Sequence, residues 1–298
     1  MIDRDGVHIL ANMEPDADTV KRNVAAALAE DVGSGDVSAE LIDAAVHARA
    51  RIVTREPGVF CGRAWAEETC RQVDPAIRLD WRVDDGAHIE RDDTLVDFNG
   101  PARGLLTAER TVLNFLQLLS GTATRTRRFV DAVAGTEAVI LDTRKTLPGL
   151  RVAQKHAVRI GGGQNHRMGL FDAILLKENH IAAAGGIAAA ACEARGRHPG
   201  MAVEVEVEDQ GELAEAIAAG VDRILLDNFS ILDLHAAVAA NAARLPLEAS
   251  GGITLDNVAE VARAGVDYVS VGELTKNVMP LDLSMRFVGD LAGAGRRT

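Results

Sequence analysis

VEVEVEDQGELAEAIAAGVDRILLDNFSILDLHAAVAANAARLPLEASGG, residues 203–252, alternates short apolar runs with longer segments. The runs VEVEVE, RILLDNF and LEASGG are typical of strands, and the segments between them carry apolar residues at helical spacing. A strand, a helix and a second strand in succession favour parallel pairing, because the crossover returns the chain to the same end of the sheet. This stretch therefore predicts an α/β fold with a parallel sheet.

The same alternation extends over the second half of the chain. Six strands are predicted, at 138–144, 172–178, 203–208, 223–229, 247–252 and 268–272. Similar intervals between the last strands favour a barrel, and an open doubly wound sheet is the alternative. Six strands are short of the eight that a complete barrel needs.

The sequence before Thr107 has a different character. Helices are predicted at 15–30 and 63–74, and strands within 48–60, 77–83 and 85–106. Turn residues at short intervals favour an α+β arrangement with a partly antiparallel sheet. A further helix, TAERTVLNFLQLLSG, is predicted to open at a Thr107 cap.

Composition limits the classes of function. The chain has 298 residues and a net charge of −12, which argues against a general nucleic-acid or membrane binder, because both need a basic face. Three cysteines without CxxC spacing predict reduced thiols and a cytosolic protein. The N-terminal run MIDRDGVHIL has no basic region followed by an apolar one, so no signal peptide is predicted.

Positive charge is nevertheless concentrated in DTRKTLPGLRVAQKHAVRIGGGQNHRMGLFDAILLKENH, residues 142–180. This stretch holds seven Lys or Arg and three Asp or Glu, a balance of +4. Arginine binds a carboxylate or phosphate through two parallel N–H bonds, and lysine acts as a point charge. We therefore expect a small ligand with several negative charges.

Polar residues and glycines lie at the C-terminal ends of the predicted strands. The C-terminal ends of parallel strands carry the ligand site in α/β folds, so these residues are the candidates. They are Thr143-Arg144-Lys145, Lys177-Glu178-Asn179-His180, Glu206, Asp227-Asn228, Ser250-Gly251-Gly252 and Val271-Gly272.

Two glycine-rich turns have different expected uses. Ser250-Gly251-Gly252 precedes a helix predicted to start near Thr254, and with Gly272 it resembles the phosphate site that barrels build from their last strands. A plain tight turn is the alternative. Gly161-Gly162-Gly163 lacks dinucleotide-binding spacing, but it lets the chain turn and present Asn165, His166 and Arg167.

The acidic strand VEVEVE places Glu204, Glu206 and Glu208 on one face. This face is either half-solvated or turned inward, where carboxylates need cations, hydroxyls or a metal as partners. Glu206 and Asp227 end adjacent strands and could bind Mg²⁺ through oxygen, shared with a phosphate ligand. No metalloprotease, nucleophile-elbow or Walker motif is present.

Long motifs occur in a fixed order over nearly the whole chain: REPGVFCG, LTAERTVLNFLQLLSG, DTRKTLPGLR, GGGQNHRMGL, LKENH, VEVEVE, LLDNF, SGG and LDLSMRF. In this order they resemble the quinolinate phosphoribosyltransferases, also called nicotinate-nucleotide pyrophosphorylases (carboxylating). The resemblance implies a reaction in which quinolinate and phosphoribosyl pyrophosphate give nicotinate mononucleotide, pyrophosphate and CO₂ with Mg²⁺. This step belongs to de novo NAD biosynthesis.

The resemblance also implies an architecture of the type II phosphoribosyltransferase kind. An N-terminal α/β sandwich domain, residues 1–112 joined by the C-terminal tail 281–298, would precede an incomplete seven-stranded α/β barrel, residues 113–280. It implies a cytoplasmic homodimer in which the sandwich domain of one subunit closes the barrel mouth of the other, with Arg110 reaching the neighbouring site.

Roles for single residues follow from the same resemblance. Arg144, His166, Arg167 and Lys177 would hold quinolinate with Arg110 of the partner subunit, and Thr143 would join the substrate-binding set. Lys145 would contact phosphoribosyl pyrophosphate and act in catalysis with Glu206 and Asp227, which would face the ribose and the metal. Ser250, Gly251, Gly252 and Gly272 would cradle phosphate.

Two positions depart from the family's usual pattern. Glu273 stands where the family usually carries alanine in VGAL, which places a carboxylate beside the expected phosphate turn. Lys276 stands where many members carry histidine, although lysine also occurs there.

Two other functions remain open at this point. A related transferase could use nicotinate, but the cluster Arg110, Arg144, Arg167 and Lys177 exceeds what one carboxylate needs. A non-catalytic barrel could bind an anionic metabolite, but mere binding would not need Lys145 together with the two carboxylates that follow the strands.

Overall fold

A computed structural model describes residues 15–289. These residues form two compact units, each built from more than one stretch of sequence. The N-terminal unit comprises residues 15–125, 148–161 and 278–289, and the C-terminal unit comprises residues 126–147 and 162–277. The expected division at 112/113 stays a prediction.

The described chain contains ten α-helices, one 3-10 helix and twelve strands. The helices are α1 Ala17–Asp31, α2 Arg63–Val73, α3 Ala102–Ala132, α4 Arg151–Ile160, α5 Glu178–Ala184, α6 Ile187–Arg197, α7 Gln210–Ala219, α8 Ile231–Asn241, α9 Val258–Arg263 and α10 Glu273–Lys276, with the 3-10 turn at Ala39–Leu41. The strands are β1 His47–Thr54, β2 Gly58–Val59, β3 Arg78–Trp81, β4 His88–Ile89, β5 Thr94–Pro101, β6 Val139–Leu141, β7 Ile174–Leu176, β8 Val203–Val207, β9 Arg223–Asp227, β10 Leu247–Ser250, β11 Tyr268–Ser270 and β12 Leu283–Phe287.

The N-terminal unit contains an antiparallel sheet, as predicted, with the order β12-β1-β5-β3. Strand β1 alternates, so that Ala50 and Ile52 are buried while Arg49 on the opposite face is exposed. This alternation is why one face of the sheet can pack on a core that includes Phe98 and Leu116. A separate two-stranded sheet joins β2 to β4.

The predicted start of the third helix is wrong. Thr107 does not cap α3, because this helix begins at Ala102 and continues to Ala132. The Thr107 hydroxyl donates instead to the Arg103 carbonyl one turn earlier, at 3.0 Å. Threonine makes this bond inside helices as well as at their ends, so the capping residue type alone misplaces the boundary.

The C-terminal unit contains a six-stranded parallel sheet with the order β6-β11-β10-β9-β8-β7. All six predicted strands are confirmed. Strands β7 to β11 follow one another in sequence order, whereas a doubly wound sheet reverses its order near the middle. The doubly wound alternative is therefore wrong, and the order is that of an opened barrel.

A seventh position beside β6 is reduced to a single residue. Gln164 forms an isolated parallel bridge with Leu141, and the Gln164 backbone N–H donates to the Ile140 carbonyl at 2.8 Å. The seventh strand that the resemblance implied is thus one bridge long in the described chain.

No helix within residues 15–289 is long and apolar enough to cross a bilayer. Within the described residues, Cys61, Cys70 and Cys192 form no disulfide bond. Burial raises the pKa of the Cys70 thiol to about 12, so this thiol stays protonated at neutral pH.

Candidate active site

The predicted site residues of the C-terminal unit follow strand ends at one edge of the sheet, or the Gln164 bridge. Thr143, Arg144 and Lys145 follow β6, and Lys177 follows β7. Glu206, Asp227 and Ser250 lie within the last two residues of β8, β9 and β10, and Gly251, Gly252 and Gly272 follow β10 and β11. Because all the strands are parallel, their C-terminal ends share this edge.

Lys145 is held at its main chain. Its amide donates to the Thr143 hydroxyl at 3.1 Å, and its carbonyl accepts from the Thr275 hydroxyl at 2.9 Å. A Cβ on Gly272 would lie 3.1 Å from the Lys145 Cδ, so the lysine side chain passes close over the glycine. The structure therefore gives Gly272 a steric role, and Thr275, fully buried, is a supporting residue that the sequence analysis missed.

The Ser250-Gly251-Gly252 turn is shaped by its neighbour Asn228. Gly251 has φ of 95°, and a Cβ there would lie 2.1 Å from the Asn228 Oδ1. The Asn228 backbone N–H donates to the Ser250 carbonyl at 2.9 Å. The helix predicted near Thr254 starts only at Val258 and is six residues long, so that start was wrong.

Replacing Gly251 by alanine should disrupt this turn, because the new Cβ clashes with Asn228 and the backbone is left-handed. If this turn binds phosphate, as the resemblance implies, we expect a weaker apparent affinity for phosphoribosyl pyrophosphate, by about 10-fold or more, together with a lower melting temperature. Initial rates at varied substrate and calorimetry measure both.

The matched control for Gly251→Ala is Gly252→Ala. Gly252 also has a left-handed φ, of 61°, but a Cβ there would meet no atom within 4 Å. Its cost is limited to backbone strain of about 1–2 kcal/mol. Equal losses in both variants would contradict the steric role of Gly251.

Arg144 and Arg167 form a repulsive pair. Burial and then the Arg144 charge lower the pKa of Arg167, although it stays protonated. The Arg167 guanidinium has a long contact, 3.5 Å, to the Ala173 carbonyl. Two cations held together in a half-buried place favour an anionic ligand, because such a ligand relieves their repulsion.

His166 is buried, and both of its ring nitrogens have partners. Nδ1 accepts the Arg167 amide N–H at 2.7 Å, and Nε2 lies 3.1 Å from the Glu204 Oε2. The His166 amide donates to the buried Asp142 carboxylate at 2.9 Å. Both ring nitrogens already have partners within the protein. Direct contact between His166 and substrate therefore stays a prediction.

Lys177 forms an ion pair with Glu206. The lysine side chain is half exposed, and the Lys177 amide donates to the His180 Nδ1 at 3.0 Å at the start of α5. Lys177 and Glu206, which were expected to contact different substrates, are therefore paired with each other. Binding of both substrates would have to break or rearrange this ion pair.

Asp227 and Glu206 are the expected Mg²⁺ ligands. The Asp227 Oδ2 accepts from the Asn228 side chain at 2.8 Å, and Glu206 uses Oε2 for Lys177, so one oxygen of each carboxylate has no partner among the described residues. Glu206 is the register partner of Leu225, so continuing the register places Asp227 level with Glu208, two residues beyond Glu206. Carboxylate oxygens suit Mg²⁺, so the residues fit this metal.

A buried charged cluster lies on the face that carries Glu206. The Arg223 Nη1 is 3.1 Å from the Glu248 Oε2 and 3.9 Å from the Glu204 Oε1, and its guanidinium lies over the Tyr268 ring. Glu204 was predicted only as part of an acidic strand, and Glu248 and Arg223 were not predicted. Their lone charges within apolar strands were the available signal.

The two carboxyls of the cluster have different acidities. Burial, reinforced by the Glu204 charge, raises the pKa of Glu248 to about 7. Burial, the largest single influence, acts in the same direction on Glu204, but the hydrogen bond with His166 and the nearby charges of His166 and Arg223 together outweigh it and lower the pKa of Glu204. A proton on Glu248 leaves one carboxylate against the Arg223 guanidinium, which balances the buried charge.

Arg110 is exposed on α3 and belongs to the N-terminal unit. Its expected reach into a neighbouring subunit stays a prediction. Glu273, the departure from the family pattern, is the half-buried first residue of α10.

Family models match the chain in two consecutive parts. The N-terminal domain model of quinolinate phosphoribosyl transferase matches residues 36–120, and the C-terminal domain model matches residues 122–286. The chain belongs to the quinolinate phosphoribosyltransferase family.

Relatives of known name extend over the same region. The nicotinate-nucleotide pyrophosphorylase [carboxylating] of Mycobacterium leprae is 44% identical, over 93% of this chain and 99% of its own length. A probable nicotinate-nucleotide pyrophosphorylase [carboxylating] of Bacillus subtilis is 42% identical, over 86% of this chain and 89% of its own length. The solved nicotinate-nucleotide pyrophosphorylase of Francisella tularensis superposes with a TM-score of 0.90 at 44% identity, over 92% of this chain and 98% of its own. The chain thus shares its fold with the family along most of its length.

Proposed function

We infer that this chain transfers the phosphoribosyl group of phosphoribosyl pyrophosphate to quinolinate. The products are nicotinate mononucleotide, pyrophosphate and CO₂, a step of de novo NAD biosynthesis. Membership of the family over residues 36–286 carries this inference. The cations at the strand ends support it, because both substrates are polyanions.

Quinolinate is a dicarboxylate, and we assign it to the side of the site that contains Arg144, Arg167 and Lys177. The repulsion between the two guanidiniums supports this assignment, since two carboxylates would reduce it. His166 belongs to the same side, and Arg110 of the partner subunit completes the set in a homodimer. Thr143 acts through the Lys145 main chain.

Phosphoribosyl pyrophosphate lies on the other side, at the ends of β9 to β11. The turn Ser250-Gly251-Gly252 and the close backbone at Gly272 accept phosphate, since glycines let backbone N–H groups approach an anion. Lys145 supplies a cation next to Gly272. Glu206 and Asp227 face the ribose.

The chemistry follows from these positions. The pyridine nitrogen attacks the anomeric carbon as the bond to pyrophosphate breaks, and the ribose becomes oxocarbenium-like. Glu206 and Asp227 stabilise that positive charge, and Lys145 stabilises the departing anion. The new bond makes the ring nitrogen cationic, so the electron pair left at C2 by CO₂ is stabilised until a proton replaces it.

Glu206 and Asp227 would hold Mg²⁺ through their free oxygens, in a site shared with phosphate. Bound Mg²⁺ supplies Lewis-acid stabilisation of the pyrophosphate leaving group. Holding two anions together against their mutual repulsion lowers the barrier further. We place the enzyme in the cytoplasm, in line with its cysteines, which form no disulfide bond within the described residues.

A single assay tests the function. Purified protein with Mg²⁺, phosphoribosyl pyrophosphate and carboxyl-labelled quinolinate should release labelled CO₂ and nicotinate mononucleotide in equal amounts, only when all components are present. Turnover of nicotinate but not quinolinate would assign the chain to a monocarboxylate transferase. No turnover of either, in protein that still binds quinolinate, would indicate a binding protein.

A further inference from the structure

Charged residues lie where a barrel-like sheet normally buries branched apolar side chains. Glu204 on β8 and Glu248 on β10 are each two residues before a site residue on the same strand, and Arg223 is the register partner of Glu204. All three are at most 7% exposed. Burying charged groups is costly, and even a paired buried cluster is often no more stabilising than apolar side chains of similar volume. We therefore looked for a functional role of the cluster.

The cluster connects to the site through His166. The imidazole Nε2 lies 3.1 Å from the Glu204 Oε2 and 3.5 Å from the Glu248 Oε2. Its Nδ1 accepts the Arg167 N–H at 2.7 Å, which requires that Nδ1 carry no proton. The ring proton therefore sits on Nε2, and Glu204, which can only accept, keeps it there.

The segment that carries Arg167 has little regular structure of its own. Between α4 and β7 it contains only the bridge at Gln164. Side chains fix it instead: the buried Asp142 accepts from the His166 amide at 2.9 Å and from the Asn165 side chain at 2.6 Å. The His166 ring then fixes the next peptide, that of Arg167.

We propose that Glu204 is a positioning residue for the quinolinate side of the site. It holds His166 in the Nε2–H tautomer, so that Nδ1 receives the Arg167 N–H and the Arg167 guanidinium is presented to the dicarboxylate. Glu248 and Arg223 keep Glu204 in place. This role rests on the proposed function, but the tautomer itself does not.

A metal ion is a poorer explanation of the same cluster. His166, Glu204 and Glu248 each offer a ligand atom, and these atoms lie within 4.8 Å of one another. The His166 Nε2, however, has to carry the proton when Nδ1 accepts from Arg167, and Arg223 already supplies the positive charge. The geometry thus favours a hydrogen-bonded cluster over an ion.

Steady-state kinetics test the positioning role. We expect Glu204→Leu to raise the KM for quinolinate about 30-fold, as for loss of one charge-assisted hydrogen bond, and to leave the KM for phosphoribosyl pyrophosphate within about 3-fold. Glu204→Gln keeps an acceptor for Nε2–H and should stay within about 3-fold for both substrates. Glu215→Leu, on the exposed side of α7, is the matched control.

Two kinetic results would overturn the proposal. One is an equal change in both KM values in Glu204→Leu, which is the sign of general distortion. The other is a Glu204→Gln variant as impaired as Glu204→Leu. Circular dichroism melting establishes that each variant is folded.

A direct measurement remains decisive even if Glu204→Leu fails to fold or the wild-type protein shows no turnover. Nitrogen-15 NMR of the wild-type histidines, with His166 assigned by its loss in His166→Gln, should show a protonated Nε2 and an unprotonated Nδ1. A proton on Nδ1, in the neutral ring or in the imidazolium, would overturn the proposal. Absence of turnover alone would refute the proposed function and leave this tautomer test intact.

Discussion

Lys145→Ala should lower turnover more than ~100-fold, because it removes a positioned cation from the departing pyrophosphate. The lysine is fixed by the hydroxyls of Thr143 and Thr275 and passes over Gly272, so no other side chain takes its place without rearrangement. The rate of nicotinate mononucleotide formation at saturating substrates, and in a single turnover, measures the loss.

The control for this variant is Lys21→Ala, which removes an exposed lysine from α1. It should keep full turnover, and both variants should melt like the wild type. A Lys145→Ala protein that is folded and turns over within about 3-fold of wild type would count heavily against the assignment of Lys145.

Mixing Arg110→Ala protein with Lys145→Ala protein should restore activity that neither has alone. If Arg110 completes the neighbour's site in a two-fold dimer, each hybrid dimer has one intact site and one doubly altered site. Random exchange makes half of the dimers hybrid, so about a quarter of wild-type turnover should return. Turnover against time after mixing, with exchange followed by native mass spectrometry, measures the recovery.

A double variant supplies the matched control. Chains carrying both Arg110→Ala and Lys145→Ala, mixed with Arg110→Ala chains, form hybrids without any intact site and should stay inactive. If exchange is verified and the two single variants still fail to complement, the shared site is wrong.

The parallel sheet of the C-terminal unit was predictable because each strand is a short apolar run bounded by a turn. Strands were predicted in RILLDNF and LEASGG from their apolar runs, and β9 and β10 lie in these two segments. The start of α3 was not predictable in this way. Thr107 has the residue type of a cap, but tertiary packing lets the helix begin at Ala102, before it.

The candidate site was predictable where it depends on strand ends and less so where it depends on pairing across strands. Lys145 and Asp227 follow strands, so chain order locates them. Glu248 is 44 residues from its buried partner Glu204, and only the strand register shows that both line one interior. The use of both His166 nitrogens also depends on contacts that no local pattern specifies.

The four-stranded and the six-stranded sheets are both completed by the last part of the chain. Strand β12 pairs with β1, joining Leu283 to Thr54, and β11 pairs with β6, joining Tyr268 to Val139. During synthesis, β1 and β6 therefore wait with one open edge until more than 100 residues have followed, and open strand edges invite pairing between chains. Because of the long-range order of these strands, we expect the nascent chain to be most prone to such pairing before its final strands leave the ribosome.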